Sequence, residues 1–159
     1  MKKLTSKILA ASLVFQILLF GNWSFVHAHE STCPPHTPVL IDVRPGEEPN
    51  AINLSARGLL PVALLTTPDF DASLFMPQKE HVHLSDADVP MDMGCVGANP
   101  VRWKLDDANG DGQTDLVFFF RIQDLNLSMD STAARLMAHG AYDAGVIHIQ
   151  GTDSVVVRS

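Results

Sequence analysis

The stretch 106-DDANGDGQTDLVFFF-120 joins a loop-forming half to an unbroken apolar half, and the apolar half decides the fold class. Residues 116–120 lack the apolar and polar alternation of a strand that has one face in water. A run of this kind is typical of a strand covered on both faces, which lies in the middle of a sheet. Asp115 and Arg121 flank the run as charges that oppose aggregation. The sequence therefore predicts a central strand over residues 115–122.

Other short apolar segments recur along the chain, and turn-forming Pro, Gly, Asn and Asp separate them. This spacing is typical of an all-β domain. It predicts a single β-sandwich over residues 39–159, Ig-like or jelly-roll-like, of about seven or eight strands, with a long loop before the central strand. A barrel is the alternative. The other predicted strands are 39–43, 59–67, 81–85, 101–105, 145–150 and 154–159.

One segment, 131–140, has a local pattern that competes with the all-β prediction. Ser131 is a residue type that caps helices, and Gly140 is one that ends them. Between them, Leu136 and Met137 fall on one helical face. Local propensity therefore favours a helix in this segment.

The first 28 residues have the composition of a bacterial secretory signal. Three lysines precede an apolar core at 8–20, which is short for a membrane span of about 20 residues. The sequence predicts cleavage after Ala28 and a soluble protein, secreted or periplasmic, with no membrane span after signal removal. A retained anchor is the alternative. Residues 29–38 contain three prolines and no periodicity, so we expect a proline-rich tether there.

The charge of the chain excludes one class of partner. After residue 28 the chain has 18 acidic residues and 8 basic ones, and the difference is a formal charge of −10. Such a surface repels nucleic acid and anionic membranes and attracts cations. We therefore expect no nucleic-acid partner.

Two cysteines, Cys33 and Cys95, follow the signal segment. In an oxidising compartment an even pair predicts a disulfide, which would tie the tether to the domain. A disulfide between these two cysteines, which are 62 positions apart, would stabilise the fold by about 4 kcal/mol because it lowers the entropy of the unfolded chain. A reactive thiol or a thiolate metal ligand is the alternative.

The loop-forming half of the opening stretch has the donor spacing of a calcium site. Counted from Asp107, oxygen-bearing side chains stand at alternate positions of the loop, and Gly112 is the sixth residue. Side chains spaced in this way on a tightly wound loop converge on one point. Ca²⁺ takes six to eight oxygen ligands. Phe118 stands where an EF-hand has its bidentate Glu, so the loop is not an EF-hand. A plain Asp/Asn turn is the alternative. The predicted ligands are Asp107, Asn109, Asp111, the Gln113 carbonyl and Asp115, with Asp69, Asp71 and Asp106 as candidates to complete the set.

Histidines suggest a second metal site. His81 and His83 alternate, so a strand there places both on one face. Two histidines on one face are half of a zinc or copper site. The third ligand could be His139, His148 or His29, which signal cleavage would leave at the new N-terminus. Histidines that act singly on the surface are the alternative.

Three segments together resemble a recurrent, functionally uncharacterised module of bacterial secreted proteins. They are IDVRPGEEPNAINLSARGLLPVALLTTPDFDAS at 41–73, DDANGDGQTDLVFFFRIQDLNL at 106–127 and GTDSV at 151–155. The resemblance implies a secreted, mostly β module in which 131–138 is a strand. It fails at 91–100, MDMGCVGANP, and in the His-rich start. It implies no activity and no site residues.

The sequence has no nucleophile elbow, phosphate-binding loop, HExxH or GxGxxG motif. We therefore expect a non-catalytic exported module, stabilised by Ca²⁺, with a structural or binding role toward an unknown extracellular partner or glycan. A copper- or zinc-binding exported protein that uses its histidines is the alternative. A hydrolase of extracellular polymers is the third and weakest interpretation.

Overall fold

A computed structural model describes residues 35–90 and 96–159. The signal segment 1–28, His29 and both cysteines, Cys33 and Cys95, lie outside the described residues, and so do the predicted cleavage site and disulfide. The described residues belong to one compact unit, Thr32–Ser159. No helix in the described part of the chain is long and apolar enough to cross a membrane.

The described chain is almost entirely β-structure, with two single-turn 3-10 helices at Ala72–Leu74 and Ile122–Asp124. Its strands are β1 Thr37–Pro38, β2 Ile41–Val43, β3 Ala51–Asn53, β4 Leu59–Leu64, β5 Met76–Asp86, β6 Pro100–Asp106, β7 Asp115–Arg121, β8 Ala133–Tyr142, β9 Gly145–Ser154 and β10 Val156–Arg158.

Two four-stranded sheets make up the body of the domain. Sheet I has the order β1-β9-β8-β5, and sheet II has the order β2-β4-β7-β6. Strands β3 and β10 form a separate parallel pair, and β1 also runs parallel to β9, while every other pairing of these strands is antiparallel. Apolar side chains from both sheets meet in one core. The architecture is therefore an all-β sandwich, as the sequence predicts, and the described strands do not close into a barrel.

The central strand is confirmed. Strand β7 lies between β4 and β6, and Leu116, Val117 and Phe118 are buried in succession, so both faces of the strand are covered. On the face away from the core, the guanidinium carbon of Arg102 lies 3.8 Å from the centre of the Phe119 ring. This cation–π contact covers part of the outer face of β7.

The helix favoured by local propensity at 131–140 is wrong, because this segment forms β8, in agreement with the strand that the resemblance implies over 131–138. Strand β8 pairs with β5 on one side and with β9 on the other. Leu136 and Ala138 point into the core, and Arg135, Met137 and His139 alternate with them on the opposite face. The two flanking strands hydrogen-bond to the backbone N–H and C=O groups of the segment. This tertiary pairing overrides the weak local preference for a helix.

Two short strands lie where the sequence predicts none. Strand β1 falls inside the stretch assigned to the tether, and it pairs with β9 through Thr37 and Pro38. Strand β3 lies in a connection rich in turn residues and pairs with β10. Both strands depend on partners about a hundred positions away in the chain. The other predicted strands are all present, with β5 and β9 longer than predicted.

Candidate metal-binding sites

The loop between β6 and β7, residues 107–114, is wound tightly by two glycines. Gly110 and Gly112 have φ of +77° and +85°, a region that glycine enters without a steric penalty. A Cβ atom at either position would meet no other atom within 4 Å. The backbone conformation, and not a lack of space, therefore favours glycine at both positions.

The side chains of the loop are exposed and accept hydrogen bonds from its own backbone. Asp107 accepts from the N–H of Gly110 at 2.8 Å and from that of Gly112 at 3.0 Å. Asn109 Oδ1 accepts from the N–H of Asp111 at 3.0 Å, and Asp111 Oδ1 accepts from that of Gln113 at 2.8 Å. These hydrogen bonds fix the orientation of the three side chains relative to the backbone of the loop.

Asp111 receives donors from both sides. Its Oδ2 atom also lies 3.0 Å from the Asn109 amide nitrogen and 3.3 Å from that of Gln113. The backbone N–H of Gln113, followed by the Asn109 amide, lowers the pKa of Asp111 below its ordinary value. Asp111 is therefore ionised at neutral pH, which is the state that a cation requires.

Asp115 differs from the other predicted ligands because it is completely buried. Its Oδ2 accepts from the N–H of Ala108 at 3.0 Å, and its Oδ1 accepts from the N–H of Thr66 at 2.8 Å. The Thr66 hydroxyl in turn donates to the Thr114 carbonyl at 2.6 Å. Asp115 thus closes the loop and ties it to the segment that follows β4.

Two of the three acidic residues named as completing ligands, Asp106 and Asp71, make other interactions, and the side chain of Asp69 makes none within the described part of the chain. Asp106 forms an ion pair with Lys104, which lowers the pKa of Asp106. Asp71 caps the first 3-10 turn by accepting from the N–H of Ser73 at 2.9 Å. Among residues 35–90 and 96–159, no group of three or more His, Cys, Asp or Glu side chains is arranged to hold a metal ion.

Sheet I has a row of four histidines across its strands. His81 is on β5, His139 on β8 and His148 on β9, and His36 directly precedes β1. His139 and His148 are opposite each other in the β8–β9 register. The ring centres of His81 and His139 are 4.0 Å apart, those of His139 and His148 are 5.1 Å apart, and those of His148 and His36 are 5.9 Å apart. We call these four residues the histidine row.

The histidine row lies on the face of sheet I that points away from the core. Val82, Ala138 and Ile149, each next to a member of the row, are buried in the core. Because side chains alternate along a strand, the histidines point to the opposite face. All four rings are half-buried.

The environment of the row favours the neutral form of two of its rings. Burial lowers the pKa of His139, and His81 and His148 lower it further. Burial also lowers the pKa of His36, followed by His148 and Arg135. The neutral imidazole has a free nitrogen lone pair, which can accept a hydrogen bond or bind a metal.

His83 shares a strand face with His81, as the sequence predicts, but it has a different neighbour. The Asn99 amide nitrogen lies 3.3 Å from Nδ1 of His83. Burial lowers the pKa of His83, and a hydrogen bond with the backbone of Gly97 opposes that shift. The sequence pairs His81 with His83, whereas the fold groups His81 with His139, His148 and His36. His36 was missed because it lies in the predicted tether.

A surface groove of about 260 Å³ lies beside β3 and β4. Arg44 and Glu47 at its rim form an ion pair with 2.5 Å between Nη2 and Oε1. These two charges satisfy each other, so they leave little to attract a charged ligand.

Comparison of the chain with protein-family models, with curated proteins and with solved structures finds no match.

Proposed function

We propose that this protein is a non-catalytic exported module whose β-sandwich is stabilised by Ca²⁺ bound in the loop 107–115. Its role would be structural or would consist in binding an extracellular partner or glycan. The observation that carries the proposal is the arrangement of the loop, in which exposed oxygen donors alternate around two glycines with positive φ. The acidic charge of the chain also favours a cation as ligand.

The hydrogen bonds within the loop are compatible with a bound cation. A carboxylate has about four lone-pair sites on its two oxygens, so Asp107 and Asp111 have acceptor capacity beyond the backbone N–H groups that they already bind. These N–H bonds also orient the carboxylates and reduce the entropy lost when an ion binds. Asp107, Asn109, Asp111 and the Gln113 carbonyl are the direct ligands that we propose.

Asp115 has a different role in this proposal. Both of its oxygens accept backbone N–H bonds in a buried position, so it acts as the clamp of the loop. The ninth position of a calcium loop often reaches the ion through a water molecule, which fits a residue that is already occupied. A cation in the loop would therefore stabilise the β6–β7 connection, and through Asp115 and Thr66 the end of β4 as well.

The exported and non-catalytic parts of the proposal rest on the sequence. The signal-like start supports export. The lack of recognisable nucleophile, phosphate-binding and zinc-protease motifs supports a role without catalysis.

Thermal unfolding of metal-free protein, with and without Ca²⁺, tests the proposal. A ligand that binds only the folded state at about 100 times its Kd raises stability by roughly 2.7 kcal/mol. For a domain of this size we expect a rise in Tm on the order of 10 °C. Mg²⁺ at the same concentration should have a smaller effect, because it prefers strict octahedral geometry. Identical melting curves in millimolar Ca²⁺ and in chelator would overturn the proposal.

A further inference from the structure

We propose that the histidine row on sheet I, formed by His36, His81, His139 and His148, binds a divalent transition-metal ion. This site is separate from the calcium loop and does not depend on it. Imidazole nitrogen is a donor that Cu²⁺, Ni²⁺ and Zn²⁺ accept, whereas Ca²⁺ takes oxygen ligands. The two sites would therefore select different ions.

The spacing of the rings supports the proposal. Because a Zn–N bond is about 2.0 Å, two imidazoles bound to one ion at a tetrahedral angle have ring centres about 5 Å apart. The centres of His139 and His148 are 5.1 Å apart. His36 on one side and His81 on the other are at 5.9 Å and 4.0 Å from their nearest members of the row. His139 and His148, together with either His81 or His36, would give three protein ligands to one ion. Three protein ligands leave the fourth position of a tetrahedral site open.

Strand pairing fixes the backbone positions of the two central histidines. His139 and His148 form one of ten consecutive residue pairs in the β8–β9 hairpin. The parallel pairing of Thr37 with Ile149 and of Pro38 with Gln150 sets His36 beside His148. Sites built on paired strands maintain ligand positions better than sites on loops.

The rings need only to rotate in order to bind. Within the described residues no three such groups converge on one point, and His81 and His139 stack with 23° between their planes. All four rings are partly exposed, and the χ2 torsion of histidine is broad, so rotation without movement of the backbone brings nitrogens toward a shared ion.

His83 provides a matched control. It lies on the same strand and face as His81, but its ring is placed beside Asn99 and outside the row. Replacement of His83 by alanine removes one imidazole from the same sheet without touching the proposed ligands. If the row binds the metal, an alanine variant of a row histidine must therefore lose more metal affinity than His83→Ala does.

Calorimetric titration of untagged protein with CuSO₄ and with ZnCl₂, in excess Ca²⁺, tests the proposal. We expect about one ion per chain and the tighter binding for Cu²⁺, which stands above Zn²⁺ in the order of affinities. His139→Ala and His148→Ala should each weaken metal binding at least about tenfold. Loss of a residue that only hydrogen-bonds to a metal ligand already weakens binding by about that factor. His83→Ala should weaken binding clearly less than either of these variants, because its ring lies beside Asn99 and outside the row.

Two further measurements make the outcome decisive. The electron paramagnetic resonance spectrum of the Cu²⁺ complex should show coupling to several nitrogens, and His148→Ala should reduce that number. Circular dichroism of each metal-free variant should show that the fold is retained, and His148→Gln is the substitute if the alanine variant does not fold. The proposal is overturned if wild-type protein binds neither ion, if His83→Ala weakens binding as much as His139→Ala, or if the row variants bind like wild type.

Discussion

The buried carboxylate of Asp115 accepts a hydrogen bond at 2.8 Å from the backbone N–H of Thr66, which lies 49 positions earlier in the chain. Its other oxygen accepts from Ala108, in the loop that precedes β7. One side chain thus joins the loop, the start of β7 and the segment after β4. The stability of this end of sheet II should depend on it.

Replacement of Asp115 by alanine should lower the free energy of unfolding by about 2–4 kcal/mol, because two backbone N–H groups lose their acceptor in a buried place. Asp115→Asn keeps the size of the side chain and one acceptor oxygen, but its amide N–H₂ group faces a second backbone donor, so this variant should also lose stability. Urea denaturation in the presence of a chelator measures both effects without any contribution from Ca²⁺. A loss below about 1 kcal/mol in the alanine variant would contradict the role of Asp115 as a buried acceptor.

Asp111→Ala should abolish most of the Tm increase that Ca²⁺ produces, while the Tm in chelator changes little. Asp111 is exposed, and the N–H of Gln113 that it accepts can bond to water when the carboxylate is removed. Thermal melts of both proteins with Ca²⁺ and with chelator measure the difference. Asp130→Ala, at an exposed acidic residue outside the loop, is the matched control and should keep the full shift. Equal shifts in all three proteins would mean that Asp111 is not a ligand.

Gly112→Ala should destabilise the protein by about 1–2 kcal/mol, because an L-residue pays this cost in the left-handed region. The φ of Gly112 is +85°, and an added Cβ meets nothing within 4 Å, so backbone strain is the whole effect. Gly145→Ala is the matched control, since a Cβ there also meets nothing within 4 Å and the position lacks the left-handed φ. Urea denaturation should show a loss in the first variant and little change in the second. Equal losses would rule out strain at Gly112 as the cause.

Asp42→Asn should stabilise the protein at neutral pH. Burial raises the pKa of Asp42, and the charges of Asp153, Glu48 and Asp115 raise it further, so the ionised side chain is less favourable in the folded state than in the unfolded one. The gain in stability should be complete at pH values above the raised pKa of Asp42. It should disappear as the pH falls through that pKa toward the ordinary pKa of an Asp side chain. Melting temperatures between pH 7 and pH 3.5 test the trend, with Asp130→Asn as the exposed control. A lower Tm for Asp42→Asn at pH 7 would contradict it.

The elements that the sequence predicted well are those whose signal is local. The apolar run after Asp115 identified the central strand because five consecutive apolar residues, followed by no helical period, are typical of a strand covered on both faces. The winding of the loop 107–114 also follows from neighbouring residues, since each carboxylate or amide oxygen accepts from an N–H two to five positions ahead. The sequence could not show that Asp115 is buried, because its partner Thr66 belongs to a different strand connection.

The elements that local sequence patterns missed depend on distant partners. Residues 131–140 have side chains that suit a helix, but β5 and β9 offer hydrogen bonds on both sides, and the segment extends between them. Strands β1 and β3 are too short to have a periodicity of their own. The histidine row was also missed because its members come from distant parts of the chain. Local spacing groups His81 with His83, whereas the row forms only when the strands of sheet I pair.

The sequence by itself therefore determined the all-β class, the central strand and the donor order of the loop, because alternation, turn residues and glycine spacing act over a few positions. Only the tertiary structure decided which strands pair, that Asp115 is the clamp of its loop, and that four histidines from separate parts of the chain lie side by side. The physical reason is that strand register is set by hydrogen bonds and packing between distant segments, and no short stretch of sequence contains both partners.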